Sequence, residues 1–182
     1  MRNRLVSQFF FTNYFFLKFS KNFVMQKLST FIWFDNNAEE ALNFYLSVFK
    51  DSKLIRKAQN PMGAPGPEGE LLVASILLEG QEFILMNGGA GHPLTDAISI
   101  TVNCVSQEEV DYYWNKLLEG GGSEVACGWL KDRYGLSWQV TPTILPELLS
   151  DHDREKAARV MQAMMKMVKL DIPALQAAVD GK

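Results

Sequence analysis

The sequence has few of the side chains that build cross-linked or metal-held frameworks. Its 182 residues include two cysteines and two histidines. Cys104 and Cys127 cannot supply the disulfide framework of a small secreted domain, and we expect both to be reduced thiols in the cytoplasm. His92 and His152 are too few to build an imidazole-rich metal centre.

The chain also lacks an excess of positive charge. Its net charge is −3, and the first 24 residues carry four basic and no acidic side chains. Taking those four from the total of 18 basic residues leaves 14 against 21 acidic ones. A body this acidic has no electrostatic footprint for nucleic acid or for an anionic membrane, and we expect neither as a partner.

Residues 1–24 differ from the rest in composition. They hold seven of the twelve phenylalanines, but polar residues interrupt every apolar run, so they do not form the roughly 20-residue apolar span that crosses a membrane. Basic residues before an apolar stretch suggest a signal peptide, yet no small-residue cleavage site follows at a suitable distance. The alternative is that translation starts at Met25. We expect this leader to be disordered or to lie outside the native protein.

From Met25 onward, strand and helix patterns alternate. LSTFIWFD is rich in aromatic and β-branched residues and predicts a strand, and apolar residues at helical spacing follow Asn37, a predicted N-cap. The hairpin turns at Glu79 and Gly80. The first half therefore predicts a strand (28–35), a helix (37–49), a strand (52–59), a loop (60–70) and a hairpin (71–89).

The second half repeats this order. Ser106 is a predicted N-cap with Glu109 at the capping-box position. At an offset of 69 residues EEALNFY lies over EEVDYYW, and the preceding strands align without a gap. The repeat predicts an α+β fold of two tandem βαβββ modules. In the second half the strand, helix and three strands are expected over 96–104, 106–121, 123–126, 127–131 and 136–141.

Several stretches resemble the vicinal oxygen chelate superfamily, which includes glyoxalase I, bleomycin-resistance proteins and extradiol dioxygenases. FILMNGG, ITVNC with EEVDYYW, CGWLKDRYGLSWQVTPT and LPELLSD are similar to its PhnB-like branch, often labelled 3-demethylubiquinone-9 3-methyltransferase. The resemblance covers residues 27–179. It implies that each module curls its mixed sheet into a half-barrel, and that paired modules of one chain or of a homodimer enclose a small-molecule cavity. The chain is then expected to consist of a leader (1–24), a PhnB-like domain (25–149) and a helical extension (150–182). The two modules of the domain are expected over 27–89 and 95–145.

The resemblance also implies which positions line the cavity. In metal-dependent members the ligands are inward-facing His, Gln or Glu residues on the first and last strands of each module. Here the first-strand positions are Thr30 and Ser99, and the last-strand positions are Ile84 or Met86 and Gln139. Period-2 alternation extends this inward face along each strand. The predicted cavity residues are Thr30, Phe34, Met86, Ser99, Thr101, Ser137 and Gln139.

The same alternation predicts the opposite faces. Phe31 and Trp33 lie opposite Thr30 and are expected to pack under a helix. Ile98, Ile100 and Val102 are expected to face the helix of the second module.

The donor chemistry of the predicted cavity argues against a metal ion. Divalent transition metals take imidazole, thiolate or carboxylate ligands, usually at least three. Hydroxyls and the neutral amide of Gln139 do not replace them, and both histidines lie outside the strands. We therefore expect no metal and no cofactor. The alternative role of Gln139 is structural, as an amide that satisfies buried backbone groups.

Two further side chains are candidates for catalysis. Cys127 lies at the start of a strand and would need a nearby cation or helix N-terminus to act as a nucleophile. His92, in the glycine-rich linker NGGAGHP, could act as an acid or base at the cavity mouth. The alternatives are an inert buried thiol and a surface histidine.

The C-terminal residues 150–179 predict two helices. Asp153 is a predicted N-cap, and a stripe of apolar residues follows at helical spacing, at 157, 160, 161, 164, 165 and 168. The segment holds four methionines, at 161, 164, 165 and 167, which suggest an adaptable apolar surface. Asp171 and Pro173 begin a second, shorter helix. The stripe is expected to pack on the barrel or on a dimer partner, and a lid over the cavity is the alternative.

These observations favour a metal-free protein that binds a small molecule, as bleomycin-resistance proteins do, and that works as a homodimer. The alternative is an enzyme of the same superfamily that acts on a small metabolite. No glycine-rich turn after the first strand of a parallel sheet supports binding of S-adenosylmethionine, so the methyltransferase label gains no support from the residues. A third hypothesis, an interaction scaffold built on the methionine-rich tail, rests on less.

Overall fold

The computed structural model of the protein describes residues 26–64 and 66–181. The expectations for the leader and for Met25 lie outside the described residues. The chain forms two compact units, of which the first ends at His92 and the second begins at Pro93. Among the described residues, no helix combines the length and the hydropathy needed to cross a bilayer.

The first unit is one βαβββ module. Its elements are β1 (Thr30–Phe34), α1 (Ala38–Val48), β2 (Ser52–Gln59), β3 (Leu71–Leu78) and β4 (Gln81–Asn87). The four strands form a mixed sheet in the order β1-β4-β3-β2, in which β1 and β4 are parallel and the other pairs are antiparallel. The turn between β3 and β4 falls at Glu79 and Gly80, as predicted. Both residues have positive φ, 45° and 82°, as the tight turns of two-residue hairpins require.

One face of the first sheet packs on α1. Strand register places alternate residues of neighbouring strands side by side on this face, and their side chains are nearly or fully buried. Helix α1 contributes Ala41, Leu42 and Tyr45, each at most 3% exposed. The burial of this apolar face drives the docking of helix on sheet. Its sheet residues are Ile32, Phe34, Ala74, Ile76, Phe83 and Leu85.

The N-terminus of α1 is capped by a residue distant in sequence. Asn37 stands at the N-cap position, as predicted, but its side chain makes no capping hydrogen bond. Instead, the Ala38 N–H donates to the side-chain oxygen of Asn87 at 2.8 Å, and the amide of Asn87 donates to the Leu71 carbonyl at 2.9 Å. The last residue of β4 thus fixes the helix relative to the sheet, since it satisfies an N–H that has no partner within the helix.

The second unit repeats the module and adds three helices. It comprises β5 (Ser99–Cys104), α2 (Gln107–Leu118), β6 (Ser123–Glu124), β7 (Trp129–Lys131), β8 (Ser137–Pro142), α3 (Leu145–Leu149), α4 (Arg154–Met164) and α5 (Ile172–Val179). Its mixed sheet has the order β5-β8-β7-β6, with β5 and β8 parallel. The predicted βαβββ repeat is confirmed, and the short helix α3 was not predicted.

Helix α2 covers the second sheet with a buried apolar stripe that includes Val110, Trp114 and Leu117. The Ser106 hydroxyl accepts from the Glu109 N–H at 3.3 Å, so the predicted N-cap is confirmed. The Glu109 carboxylate reaches back to the Val105 N–H at 2.8 Å, one residue before the position of a standard capping box. The sheet residues on this side include Val102, Cys104, Leu130, Trp138 and Val140. Ile98 lies outside β5 and is 71% exposed, so the prediction that it faces this helix is wrong.

The C-terminal helices build a small core of their own against the module. Val160, Leu170 and Leu175 are fully buried, and α3 adds Leu145. The segment between α4 and α5 is tied to the sheet, because the N–H groups of Cys127 and Gly128 donate to the carbonyls of residues 167 and 168 at 2.8 and 2.7 Å. Both predicted helices are present, and Asp153 and Asp171 cap them as predicted. Met161 and Met165 remain 43% and 62% exposed.

Candidate functional site

The strongest candidate site lies on the face of the second sheet opposite α2, called here the open face. Register pairs Ser99 with Ser137, Thr101 with Gln139 and Asn103 with Thr141, so polar side chains stand side by side along two strands. Strand β7 adds Trp129 and Lys131, which pair with Gln139 and Ser137. The open face of β5, β7 and β8 consists of Ser99, Thr101, Asn103, Trp129, Lys131, Ser137, Gln139 and Thr141.

Gln139 bonds to a neighbour on the same face. Its amide nitrogen donates to the Ser99 hydroxyl at 2.8 Å. The alternative role of Gln139 was to satisfy buried backbone groups. Among the described residues its side chain makes no hydrogen bond to the backbone. The side chain is half-buried, and its amide oxygen makes none of the hydrogen bonds identified in the described residues. An acceptor is therefore available beside the hydroxyls of the sheet.

A surface cavity of about 360 Å³ adjoins this face. Ser137 lies in its wall and is 1% exposed, and its hydroxyl is buried with no hydrogen-bond partner among the described residues. Most buried polar groups in proteins are paired, so an unpaired one calls for an explanation. Another cavity, of about 300 Å³, is lined by residues of α3, α4 and the segment between them, and it contains no predicted site residue. The lining of the first cavity is Asp96, Val125, Ala126, Cys127, Trp129, Leu130, Lys131 and Ser137.

The first sheet places two predicted cavity residues on the wrong face. Phe34 is 4% exposed and lies with Ile32 and Leu85 on the side that packs on α1, and Thr30 shares its alternation. Phe31 is 52% exposed, so it does not pack under a helix as predicted. The inward face of β1 is therefore the opposite of the one predicted.

The error comes from one residue of loop length. Three residues separate β1 from α1, but two separate β5 from α2. The helices align at an offset of 69, whereas the buried strand residues Ile32 and Phe34 correspond to Val102 and Cys104 at an offset of 70. A shift of one residue moves every strand side chain to the other face.

The open face of the first sheet is more apolar than that of the second. Besides Phe31 it carries Trp33, Ile84 and the predicted cavity residue Met86, all half-buried. The Trp33 indole donates to the Gly89 carbonyl at 2.8 Å. In this register Ile84 takes the place that Gln139 holds in the second sheet. The two modules thus differ in the chemistry that they present.

A buried carboxylate on this face was not predicted. Glu82 is 0% exposed and accepts from the hydroxyls of Ser75 at 2.5 Å and Ser29 at 2.6 Å and from the Arg56 guanidinium at 3.3 Å. Its N–H donates to the Gln26 side chain at 3.1 Å. The alternation of β4 contained a signal, since Glu82 has the same parity as Ile84. The partners that allow the charge of Glu82 to be buried come from three other segments of the chain. No sequence pattern predicted that these segments would meet at Glu82.

The two catalytic candidates lie in different units. His92 is exposed and its ring lies 4.5 Å from that of Trp33 at an angle of 52°. Cys127 is half-buried in the cavity wall with its sulfur 3.9 Å from that of Met165, and its φ is 61°. Cys104 is fully buried, and burial raises the pKa of its thiol to about 12. Within the described residues, neither His92 nor Cys127 forms a hydrogen bond with an acidic or basic side chain.

The donor set of the open face does not fit a transition metal. The strand residues that correspond to ligand positions in the superfamily are hydroxyls and one amide, with no carboxylate or imidazole among them. In the part of the chain that the structure describes, no three His, Cys, Asp or Glu side chains are grouped to hold an ion. The one buried acid of the first sheet, Glu82, is already engaged by an arginine and two hydroxyls.

Comparison with known proteins agrees with this architecture. Residues 26–141 match the family described as 3-demethylubiquinone-9 3-methyltransferase. The chain belongs to this family. It is similar to the PhnB protein from Bacillus cereus, with 36% identity over 65% of this chain and 100% of that one and a TM-score of 0.59. The family places the chain in the vicinal oxygen chelate superfamily. No protein of curated function matches it.

More distant structures share the fold. Protein PA1353 from Pseudomonas aeruginosa is 21% identical, with coverages of 65% and 98% and a TM-score of 0.51. The fosfomycin resistance protein FosX from Listeria monocytogenes is 15% identical, with coverages of 71% and 100% and a TM-score of 0.53. At these identities the likeness concerns the fold alone. The predicted α+β class and the predicted superfamily are confirmed.

Proposed function

We propose that this member of the family binds a small organic molecule on the open face of its second sheet, without a metal ion. The observation that carries the proposal is the row of hydroxyls and one amide, Ser99, Thr101, Ser137 and Gln139, beside a cavity of about 360 Å³. Ligand sites combine apolar walls with a few placed polar groups, and this cavity has Trp129 beside Ser137.

The absence of a metal in the proposal rests on donor chemistry. Neutral oxygens and nitrogens orient a ligand through directional hydrogen bonds, but they compete poorly with water for a divalent transition metal. The family name describes methyl transfer, which is not included in the proposal. Common S-adenosylmethionine enzymes bind their cofactor at a glycine-rich turn that follows a strand of a parallel sheet, whereas each described sheet here is mixed.

The alternative function is an enzyme of the glyoxalase and dioxygenase type that acts on a small metabolite. Cys127 favours it, because its thiol lies in the wall of the same cavity. Elemental analysis of the purified protein separates the two hypotheses in part. One stoichiometric divalent ion per chain would contradict the metal-free proposal and favour the enzyme.

The experiment for the proposal is a thermal-shift screen of metabolites and aromatic antibiotics on the wild type and on Gln139→Ala. A binder raises the melting temperature by linkage, and the variant is expected to lose that rise because one donor and one acceptor are removed. Gln176→Ala, an exposed glutamine on α5, is the matched control and should behave as the wild type. Equal shifts in all three proteins would reduce Gln139 to a structural residue.

We further propose that the protein is a homodimer in the cytoplasm. The resemblance to the superfamily implies modules that pair within one chain or between the two chains of a dimer, and both cysteines are free thiols, as a reducing compartment favours. Light scattering coupled to gel filtration is expected to give twice the mass of the 20.6 kDa chain. A monomer over the whole concentration range would contradict this part of the proposal. Removal of residues 150–182 tests whether the tail contributes to pairing.

A further inference from the structure

The unpaired hydroxyl of Ser137 indicates what the cavity binds. Burial of a hydroxyl without a partner is unfavourable, and the buried Ser137 hydroxyl has none among the described residues. The residue itself is 1% exposed and lines the cavity. Water can fill this role, but the cavity is large enough for an organic molecule. A hydroxyl in this position can donate one hydrogen bond to a ligand and accept others.

A cation stands directly across from this hydroxyl. Lys131 on β7 pairs with Ser137 on β8, so both side chains project from the same face, with Cβ atoms about 5 Å apart in such pairs. The lysine is half-buried, and its ammonium makes no ion pair or hydrogen bond within the described part of the chain. An unpaired ammonium beside an unpaired hydroxyl forms a two-point site for an anionic oxygen.

The rest of the wall limits the ligand further. Trp129 lies two residues before Lys131 on the same face and supplies a flat apolar surface, to which Val125 and Ala126 add. Asp96, which is exposed, also lines the cavity, so the lining has one positive and one negative side chain. One cation with a carboxylate nearby suits a singly charged ligand better than a phosphate dianion, because like charges repel.

We propose that the cavity takes an aromatic or apolar monocarboxylate. Lys131 and Ser137 hold the carboxylate group, and the body of the ligand lies on Trp129. The inference rests on the proposed function and names the chemical class of its ligand. Gln139, two residues beyond Ser137 on the same face, offers an amide to a polar substituent of that body.

The test measures the dissociation constants of matched probes by isothermal titration calorimetry. Benzoate, phenylacetate, cinnamate and hexanoate are compared with the corresponding amides, with benzylamine and with phenyl phosphate. Monocarboxylates are expected to bind more tightly than the other classes. Lys131→Met should weaken their binding about tenfold or more, because a charge-assisted hydrogen bond is lost. Lys53→Met, which removes an exposed lysine on β2, is the control and should leave binding unchanged.

Ser137→Ala provides a readout with two opposite signs. Binding of the monocarboxylates should weaken several-fold, while the melting temperature of the free protein should stay the same or rise, because a buried unpaired hydroxyl is removed. A fall in the melting temperature with unchanged affinity would show that the hydroxyl is structural and would overturn the inference.

The remaining outcomes separate the two proposals. Preferential binding of amides or of benzylamine, unaffected by Lys131→Met, would overturn the monocarboxylate assignment but leave small-molecule binding in place. Tighter binding of phenyl phosphate would overturn the argument from charge. Failure of every probe would reject the monocarboxylate class, and the proposed function would fall as well if the metabolite screen also found no binder.

Discussion

The buried carboxylate of Glu82 permits a quantitative prediction about stability. Glu82→Met roughly keeps the length of the side chain but removes the acceptor of the Ser75 and Ser29 hydroxyls and of the Arg56 guanidinium, which lie 2.5, 2.6 and 3.3 Å away. The Arg56 side chain is 14% exposed, so its charge would lose a partner in a largely buried place. Breaking a buried pair on one side costs about 3–5 kcal/mol.

The assay is urea unfolding followed by circular dichroism. For a chain of this length, a loss of that size corresponds to a fall in melting temperature of about 6–20 °C. Glu39→Met is the matched control, because Glu39 pairs with Lys57 at 3.4 Å with both side chains about half exposed. Such exposed pairs contribute about 0–1 kcal/mol, so the control should differ little from the wild type.

A double-mutant cycle tests the reason for the loss. Arg56→Met combined with Glu82→Met removes both charges, and the pair should be less destabilised than the sum of the single variants. The reasoning would be refuted if Glu82→Met unfolded within about 1 kcal/mol of the wild type, or if the two single losses were simply additive.

Three further outcomes are expected. In the native protein iodoacetamide should modify Cys127 well before Cys104, whose burial raises the pKa of its thiol to about 12; equal rates by mass spectrometry would contradict this. Hydrogen bonds from the N–H groups of Lys156 and Glu155 hold the pKa of Asp153 below its usual 3.8. The stabilisation of α4 by this carboxylate is therefore present above pH 3.8 and is lost as the pH falls through the pKa of the folded state. Asp153→Asn should flatten the acid dependence of hydrogen exchange in α4, and an unchanged profile would contradict this. Gly128→Ala should destabilise the second unit by about 2 kcal/mol in urea, because φ is 81° and a Cβ would lie 2.9 Å from Leu170; wild-type stability would refute that argument.

Much of the fold could be predicted because its signals are local. Alternating or helical spacing of apolar residues located the strands and helices, and β2 and the turn at Glu79 and Gly80 were predicted to the residue. Asp153 and Asp171 cap their helices through bonds to residues two or three positions further on, which a sequence pattern records directly. The repeated order of elements then predicted the tandem modules, and the resemblance of several stretches predicted the superfamily.

The candidate site could be predicted only in part. Alternation in β5 and β8 placed Ser99, Thr101, Ser137 and Gln139 on one face, and the register of these strands agrees with that grouping. The same reasoning failed in β1, because it depended on an alignment that missed one loop residue. Alternation gives the period of a strand but does not state which face is buried, and Thr30 is compatible with either.

Local patterns alone determined the element order, the tandem repeat and the polar character of the second sheet. Tertiary structure decided which face of β1 is buried, which residue caps α1, and where the charge of Glu82 finds its partners. It also decided that Ser137 and Lys131 stand opposite each other, and neither head group has a hydrogen-bond partner within 26–64 and 66–181. These features depend on residues that lie far apart in the chain and meet through strand pairing, so no short window of sequence contains them.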